Sequence, residues 1–230
     1  ATAVRGRAER LGDPLGDARV NVSGLSFSSR ELRDLAVAWV ALGVAFAIFF
    51  AGGGRRAIEA IVGGGVVAPV LVSLLTAGAG FLVHEVAHKV VAVRFDQVAE
   101  FRADYGMLFL AVVSSIAGFI FAAPGAVYHR GRLTPREHGL IALAGPAVNV
   151  GLAALFLPVF LSGSLLGSDF LALVGSRGLM INLFLAAFNM IPFGPLDGKT
   201  VLGWSKPVFA GTFVSAVVLT VGAFLLGFGF

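Results

Sequence analysis

Long apolar runs separated by short polar connections make up most of the chain, and this pattern predicts membrane-spanning helices. An uncharged run of about twenty residues is long enough to cross the hydrocarbon core of a bilayer as a helix. The runs of about this length or more are Leu35 to Gly54, Val66 to Val83, Tyr105 to Tyr128, Gly139 to Ser168, Gly178 to Leu196 and Pro207 to Phe230. The pattern therefore predicts an all-α polytopic membrane protein with about five to six transmembrane helices.

The N-terminal segment, residues 1–29, is polar and lacks the apolar core of a cleavable signal peptide. We expect it to stay on the cytoplasmic side. Within it, the alternation over residues 18–22 predicts a short strand, and the spacing of Ser28 and Glu31 is that of a capping box. A helix should therefore begin just after this serine, and residues 30–230 are predicted to form a single membrane-embedded domain.

Composition supports the membrane class and limits the available chemistry. With 57% hydrophobic and 13% charged residues, the chain is far more apolar than a soluble domain. The net charge of +4 comes from connections that flank membrane segments, and no basic stripe alternates with aromatics as in a nucleic-acid-binding protein. The absence of cysteine excludes thiolate ligands and cysteine nucleophiles, which leaves histidine and carboxylate as metal ligands.

The second apolar run ends in the motif His84-Glu85-Val86-Ala87-His88. On a helix, His84 and His88 lie one turn apart on the same face, so their imidazoles could bind one zinc ion. The alternative is a helix end that emerges among lipid headgroups, with Lys89 and Arg94 as interfacial anchors. Two of the four histidines lie at ligand spacing around a glutamate, and this favours the metal site.

A third ligand is predicted where the fifth apolar run is interrupted. Pro192, Gly194 and Pro195 cannot sustain a regular helix, and Asp197 lies two residues after the last of them. Broken backbone at membrane depth is tolerated where it lines protein or a water-filled cavity. Two histidines and this aspartate would form a three-ligand zinc site with its fourth position open for water. Taken alone, the segment is also compatible with Asp197 as a solvated loop residue.

Bringing these ligands together constrains the chain between them. His84 and His88 lie toward the C-terminal end of their helix, and Asp197 lies just after the C-terminal end of its own, so parallel helices would place all three at one depth. The intervening chain must then cross the membrane an odd number of times, and the fourth apolar run supplies one crossing. We therefore predict that Met107 to Val127, which contains Pro124-Gly125, is a re-entrant or β-hairpin-like segment. An ordinary transmembrane helix is the alternative.

Three motifs in a fixed order carry a family resemblance. They are His84-Glu85-Val86-Ala87-His88, then Ala144-Gly145-Pro146-Ala147-Val148-Asn149, then Asn189-Met190-Ile191-Pro192 leading into Pro195-Leu196-Asp197-Gly198. From about Ser23 onward the chain resembles the site-2 proteases, which are intramembrane zinc metalloproteases. It is most similar to compact archaeal and bacterial members without a PDZ or CBS domain. Lys199 stands where many relatives have a second glycine.

The resemblance implies a function and a set of site residues. His84, His88 and Asp197 would bind Zn²⁺, and Glu85 would be the general base that hydrolyses peptide bonds of transmembrane protein substrates. The protein would be integral to the lipid bilayer of a prokaryotic cell membrane, and the sequence specifies no oligomeric state. Asn189 and then Asn149 are candidates for stabilising the oxyanion, since both lie on motifs expected to face the zinc.

Cleavage of a transmembrane helix also requires local unwinding, because its peptide bonds are hidden in its own hydrogen-bond ladder. Phe119 to Val127 is the candidate for an extended segment that pairs with the unwound substrate by strand addition.

Two functions of other classes stay open: a non-proteolytic relative that only binds membrane partners, and an ion or solute transporter. Glu85 is retained beside intact ligands, which favours catalysis over mere binding. A transporter would be expected to show an inverted repeat, and the sequence has no obvious one. The ionisable residues within apolar runs also concentrate at one site, which argues against an ion path.

Overall fold

Helices account for most of the computed structural model, which describes residues 18–22, 24–63, 65, 67–121 and 124–228. The helices are α1 (Ser29–Phe50), α2 (Gly54–Val62), α3 (Val67–Arg94), α4 (Tyr105–Ile116), α5 (Pro135–Leu166), α6 (Asp169–Asn189), α7 (Asp197–Trp204) and α8 (Lys206–Leu225). The strands are β1 (Arg19–Val22), β2 (Leu25–Ser28), β3 (Val98–Ala103) and β4 (Gly125–Arg130).

Five of these helices, α1, α3, α5, α6 and α8, are long and apolar enough to cross a membrane. The predicted class of an all-α polytopic membrane protein is therefore confirmed. Apolar side chains of α1, α3, β3 and α4 form one buried cluster, and side chains of α5, α6 and α8 form another. α5 is the one described helix of membrane length between α3 and α6, as the predicted parallel arrangement of those two helices requires.

The predicted start of the first span is confirmed, but its capping is only half of the expected box. Ser28 Oγ accepts a hydrogen bond from the backbone N–H of Glu31 at 3.1 Å. The Glu31 side chain does not return the bond to Ser28. Instead its carboxylate accepts from Lys89 Nζ at 2.5 Å and from the backbone N–H of Phe101 at 3.0 Å. The Glu31 side chain therefore forms a tertiary ion pair with Lys89 and does not complete the capping box with Ser28.

The strand predicted at residues 18–22 is also present, since β1 pairs antiparallel with β2 and places Arg19 opposite Ser28. The rest of the polar N-terminal segment, residues 1–17, lies outside the described residues.

The chain after β3 goes out and returns, as predicted for a re-entrant segment. α4 has 12 residues, about 18 Å of helix, too short to span the hydrocarbon core. The returning chain forms β4, which pairs antiparallel with β3 and places Gly125 opposite Ala103. At the base of the segment, the backbone N–H of Asp104 donates to the carbonyl oxygen of Pro124 at 3.0 Å. The strand itself begins at Gly125, later than the extended stretch Phe119 to Val127 suggested by sequence.

A buried ion pair fixes the helix of the His84 motif to α1 and to this sheet. Lys89 is 2% exposed and Glu31 is fully buried. Lys89 Nζ also donates to the carbonyl oxygen of Ser26 at 2.7 Å and lies 4.0 Å from the ring centre of Phe27. Lys89 is therefore an internal link, not the interfacial anchor that the alternative interpretation of the motif would require.

α3 contains a π-helical turn over Leu74–Gly78, just before the His84 motif. The indole Nε1 of Trp39 on α1 donates to the carbonyl oxygen of Leu74 at 3.0 Å. Gly78 permits this approach, since a Cβ there would overlap the Trp39 ring. A π-turn inserts one residue into the helical ladder and so rotates all that follows about the helix axis. It therefore sets the direction in which His84 and His88 point.

Candidate metal centre

Three side chains from distant parts of the chain converge inside the helix bundle. His84 and His88 lie one turn apart on α3, and Asp197 is the first residue of α7. The two Nε2 atoms are 3.0 Å apart, and Asp197 Oδ2 lies 3.2 Å from His84 Nε2 and 3.4 Å from His88 Nε2. Ligand atoms about 2.05 Å from a zinc ion at tetrahedral angles are about 3.3 Å from one another. The three donor atoms are therefore spaced as zinc ligands.

The partners of the two imidazoles determine which nitrogen carries the proton. His84 Nδ1 donates to Asn149 Oδ1 at 2.6 Å, and His88 Nδ1 donates to the carbonyl oxygen of Ile141 at 2.7 Å. Carbonyl oxygens only accept, so Nδ1 is protonated in each neutral ring and Nε2 carries a lone pair. Orienting the far ring nitrogen in this way is how proteins prepare histidine as a metal ligand.

The aspartate oxygen between these lone pairs is buried and has no hydrogen-bond partner among the described residues. Neither Nε2 atom can donate to Asp197 Oδ2, so three electron-rich atoms face one another without a hydrogen between them. A buried polar atom left in this way is costly unless a cation satisfies it. The residues present therefore fit a divalent metal ion, and two histidines with one carboxylate are a known catalytic zinc set.

Glycines let the surrounding backbone approach the ligands. A Cβ at Gly145 on α5 would overlap the imidazoles of both His84 and His88, so the missing side chain at this position makes room for the two rings. A Cβ at Gly198, next to Asp197, would overlap the backbone of Met190 at the end of α6. The predicted break in the helix is confirmed, since α6 ends at Asn189 and α7 begins at Asp197.

A buried chain of amides supports His84. Asn149 Nδ2 donates to the carbonyl oxygen of Gly80 at 3.2 Å and to Asn182 Oδ1 at 2.8 Å, and Asn182 Nδ2 donates to the carbonyl oxygen of Gly178 at 2.8 Å. Both asparagines are fully buried. Because both of its amide hydrogens are donated, Asn149 presents its oxygen to His84 and fixes the orientation of that ring. Sequence reasoning did not identify Asn182.

The metal ligands line a cavity of about 460 Å³, and Glu85 lines it beside them. Glu85 is 7% exposed and adjacent to His84 on α3. The remaining walls are mostly apolar side chains of α1, α3, α5 and α6, among them Phe46, Ile181 and Phe188. This cavity has the size and the apolar lining of an organic ligand site, with its polar groups concentrated at the metal ligands.

The two asparagines predicted near the oxyanion occupy different positions. Asn189 lines the cavity, and its Nδ2 donates to the carbonyl oxygen of Leu185 at 2.9 Å. Asn149 is fully buried behind His84, and both hydrogens of its amide are engaged there. The geometry therefore favours Asn189 for a contact with a bound molecule and gives Asn149 a role in orienting His84.

One edge of the β3–β4 sheet faces this cavity. The bond between Asp104 and Pro124 fixes the pairing, so residues 125, 127 and 129 direct their backbone groups away from β3. These three residues line the cavity, and β4 has no second strand partner in the part of the chain that the structure describes. On β3, the equivalent N–H groups of Phe101 and Ala103 donate to the carboxylates of Glu31 and Asp34. Among the residues that the structure describes, the outer edge of β3 is thus occupied, and that of β4 is free.

The fold and the site define a polytopic helical membrane protein with a metal centre of two histidines and one aspartate, and comparison with known proteins agrees. The chain is 44% identical over 145 residues to "Putative zinc metalloprotease MJ0611" of Methanocaldococcus jannaschii, covering 61% of this chain and 73% of the relative. It is 31% identical over 145 residues to "Putative zinc metalloprotease YwhC" of Bacillus subtilis, covering 56% of this chain and 66% of that relative. "Putative zinc metalloprotease sll0528" of Synechocystis is 34% identical over 137 residues, covering 57% of this chain and 30% of its own length. No family model and no solved structure matches the chain.

The identity and coverage of the first relative show that the chain belongs to the zinc metalloprotease family that these proteins represent. The cofactor of that family, Zn²⁺, matches the group formed by His84, His88 and Asp197. Together with the five helices of membrane length, the family identifies a membrane zinc metalloprotease.

Proposed function

We propose that the protein is an intramembrane protease of the site-2 type, which cleaves membrane proteins within or near their transmembrane segments. The observation that carries this proposal is the setting of the metal centre. Its ligands line a cavity whose other walls are apolar side chains of helices long enough to span a membrane. Such walls suit an apolar substrate segment better than a polar peptide. The proposal places the N-terminus on the cytoplasmic side of a prokaryotic cell membrane.

In this proposal, Glu85 is the general base. It is buried beside His84 and lines the same cavity as the ligands. His84, His88 and Asp197 would hold the zinc ion. As a Lewis acid, that ion would polarise the scissile carbonyl and make a water molecule more acidic. The Glu85 carboxylate takes the proton of the attacking water and passes it to the departing amine.

The substrate segment binds in extended form along the free edge of β4. Gly125 and Val127 direct backbone N–H and C=O groups to the cavity, and an unwound substrate pairs with them as an additional strand. This pairing replaces the hydrogen bonds that the substrate backbone loses when its helix unwinds, which matters because nothing in hydrocarbon can replace them.

In this proposal, the amide of Asn189 on the cavity wall donates a hydrogen bond to the developing oxyanion. Removing one such donor typically lowers turnover by about 10²–10³-fold. Its present bond to the carbonyl oxygen of Leu185 uses one amide hydrogen and leaves the other for the substrate.

The test compares wild type with Glu85→Gln on single-span membrane proteins in detergent or vesicles. Glutamine keeps the shape of the side chain but cannot accept the proton of the water, so cleavage should fall by about 10²–10⁴-fold while zinc content is unchanged. Glu59→Gln is the matched control, because Glu59 is an exposed glutamate on α2 outside the cavity. Equal cleavage by wild type and Glu85→Gln would contradict the mechanism. Cleavage of soluble peptides with no cleavage of membrane segments would contradict the substrate class.

A further inference from the structure

Two histidines remain outside the metal centre, and the fold brings them together. His129 lies on β4, and His138 lies in the first turns of α5. Their ring centres are 5.5 Å apart with an interplanar angle of 78°. The two ligand imidazoles, His84 and His88, have ring centres 4.6 Å apart and an interplanar angle of 83°. The chain therefore contains two edge-to-face imidazole pairs of similar geometry.

Both pairs belong to the same cavity. His129 and His138 line it together with His84, His88 and Asp197. His129 is partly buried, and His138 is exposed to solvent, so the second pair lies where the cavity reaches the protein surface. A metal ion that reached it from water would have two imidazoles available at once.

His129 is suited to metal binding near neutral pH. Burial is the main factor that lowers its pKa, and the neighbouring His138 lowers it further. A lowered pKa favours the neutral imidazole, which is the form that binds a metal.

We propose that His129 and His138 form a second metal site, which binds one divalent transition-metal ion such as Zn²⁺ through two imidazole nitrogens and completes its coordination with water. The nearest carboxylate in sequence, Glu137, is committed to the helix cap, where it accepts from the backbone N–H of Thr134 at 2.7 Å and from its hydroxyl at 2.8 Å. With two protein ligands and exposed arginines at positions 130, 132 and 136, the site binds more weakly than the three-ligand centre.

An ion at this pair would join β4 to α5 at the edge of the cavity. Under the proposed function, the free edge of β4 receives the substrate, so this step rests on that proposal. A metal bridge at His129 would hold the strand end and obstruct the edge. Zinc in excess of the amount bound by the catalytic centre should therefore inhibit cleavage.

Metal binding can be tested without any assay of cleavage. The chain has four histidines and no cysteine, so His84→Ala/His88→Ala leaves His129 and His138 as its only imidazoles. This double variant, purified with a histidine-free tag, is titrated with Cu²⁺. Among the divalent first-row transition-metal ions, Cu²⁺ binds nitrogen ligands most strongly. We expect one bound ion whose electron paramagnetic resonance spectrum shows coupling to imidazole nitrogens.

Adding His138→Ala or His129→Gln to the double variant should abolish this binding. The two substitutions lie on different elements, and an unchanged gel-filtration profile verifies that each protein stays folded. Absence of binding in the double variant, or binding that survives both further substitutions, would overturn the proposed site.

The inhibitory role is tested by adding Zn²⁺ to active wild type and to His138→Ala. We expect excess Zn²⁺ to inhibit wild type several-fold, whereas the rate of His138→Ala, compared with the same variant without added Zn²⁺, should not change. Equal inhibition of both would refute the inhibitory role. If Cu²⁺ binds as expected while wild type cleaves no membrane protein, the metal site stands and the proposed function fails.

Discussion

At the residue scale, Gly145 on α5 leaves the space that the two ligand imidazoles occupy. A Cβ at this position would overlap the rings of both His84 and His88 and displace them from the positions in which their Nε2 atoms can bind one zinc ion. Gly145→Ala should therefore lower zinc affinity by at least the 10- to 100-fold typical of displaced ligand supports, and cleavage should fall with it. Competition with a chelator of known affinity measures the change.

The same helix offers the matched control. Gly151 has open space around its Cα, so Gly151→Ala adds the same methyl group to α5 without touching another side chain. Zinc retention by this variant and loss by Gly145→Ala would attribute the effect to the imidazoles. Full zinc occupancy in Gly145→Ala would contradict the geometry of the centre.

The residues of this centre divide by how far sequence alone could identify them. His84 and His88 follow from their i, i+4 spacing on one helix face, and Glu85 follows from its place between them in the motif. Asp197 follows from the broken helix before it. Asn182 could not be predicted in this way, because a lone amide in an apolar helix carries no spacing pattern. Its role depends on a tertiary contact, since its side chain packs where a Cβ at Gly80 would lie.

At the element scale, the Lys89–Glu31 pair links the metal-binding helix α3 to α1 and β3. Removing one member of a buried ion pair leaves the other charge uncompensated, which typically costs about 3–5 kcal/mol. Lys89→Met should therefore lower the unfolding temperature markedly in detergent. Glu31→Gln/Lys89→Met should recover much of the loss, because the glutamine oxygen still accepts from the backbone N–H of Phe101.

The exposed Arg55–Glu59 pair on α2 is the control for this experiment. Its atoms are 2.7 Å apart, but the arginine side chain is 91% exposed, so Arg55→Met should change stability little. If Lys89→Met and Arg55→Met had equal effects, the buried pair would not be what holds α3 in place.

Elements that local patterns determine were predicted well, and elements that depend on tertiary contacts were not. The apolar runs gave the five long helices, and Pro124-Gly125 marked the return of the re-entrant segment. The π-turn at Leu74–Gly78 was not predicted, because a continuous apolar run predicts an ordinary α-helix. Its extra residue is accommodated by Trp39, which belongs to α1 and donates to the carbonyl oxygen of Leu74.

At the scale of the whole molecule, the position of the re-entrant segment determines how the bundle lies in the membrane. Pairing of β4 with β3 brings Asp104 and Pro124 together, so both ends of the segment lie on one face. α2 connects the far end of α1 to the start of α3 and therefore lies on the opposite face. Because the chain contains no cysteine, single cysteines can report each position separately.

Cysteines placed at Asp104 and Arg132 should be labelled by a membrane-impermeant thiol reagent from the same side of the membrane, and a cysteine placed at Arg56 from the other side. The first two flank the re-entrant segment and β4, and both native residues are exposed, as is Arg56. In sealed vesicles of known orientation, the side that labels Asp104→Cys would also assign the face on which the zinc centre and its β4 edge open. Labelling of Asp104→Cys and Arg132→Cys from opposite sides would require a full crossing between them. That outcome is incompatible with the β3–β4 pairing. Because α3 and α6 would then run in opposite directions, Asp197 would meet His84 and His88 only if all three lay near mid-membrane.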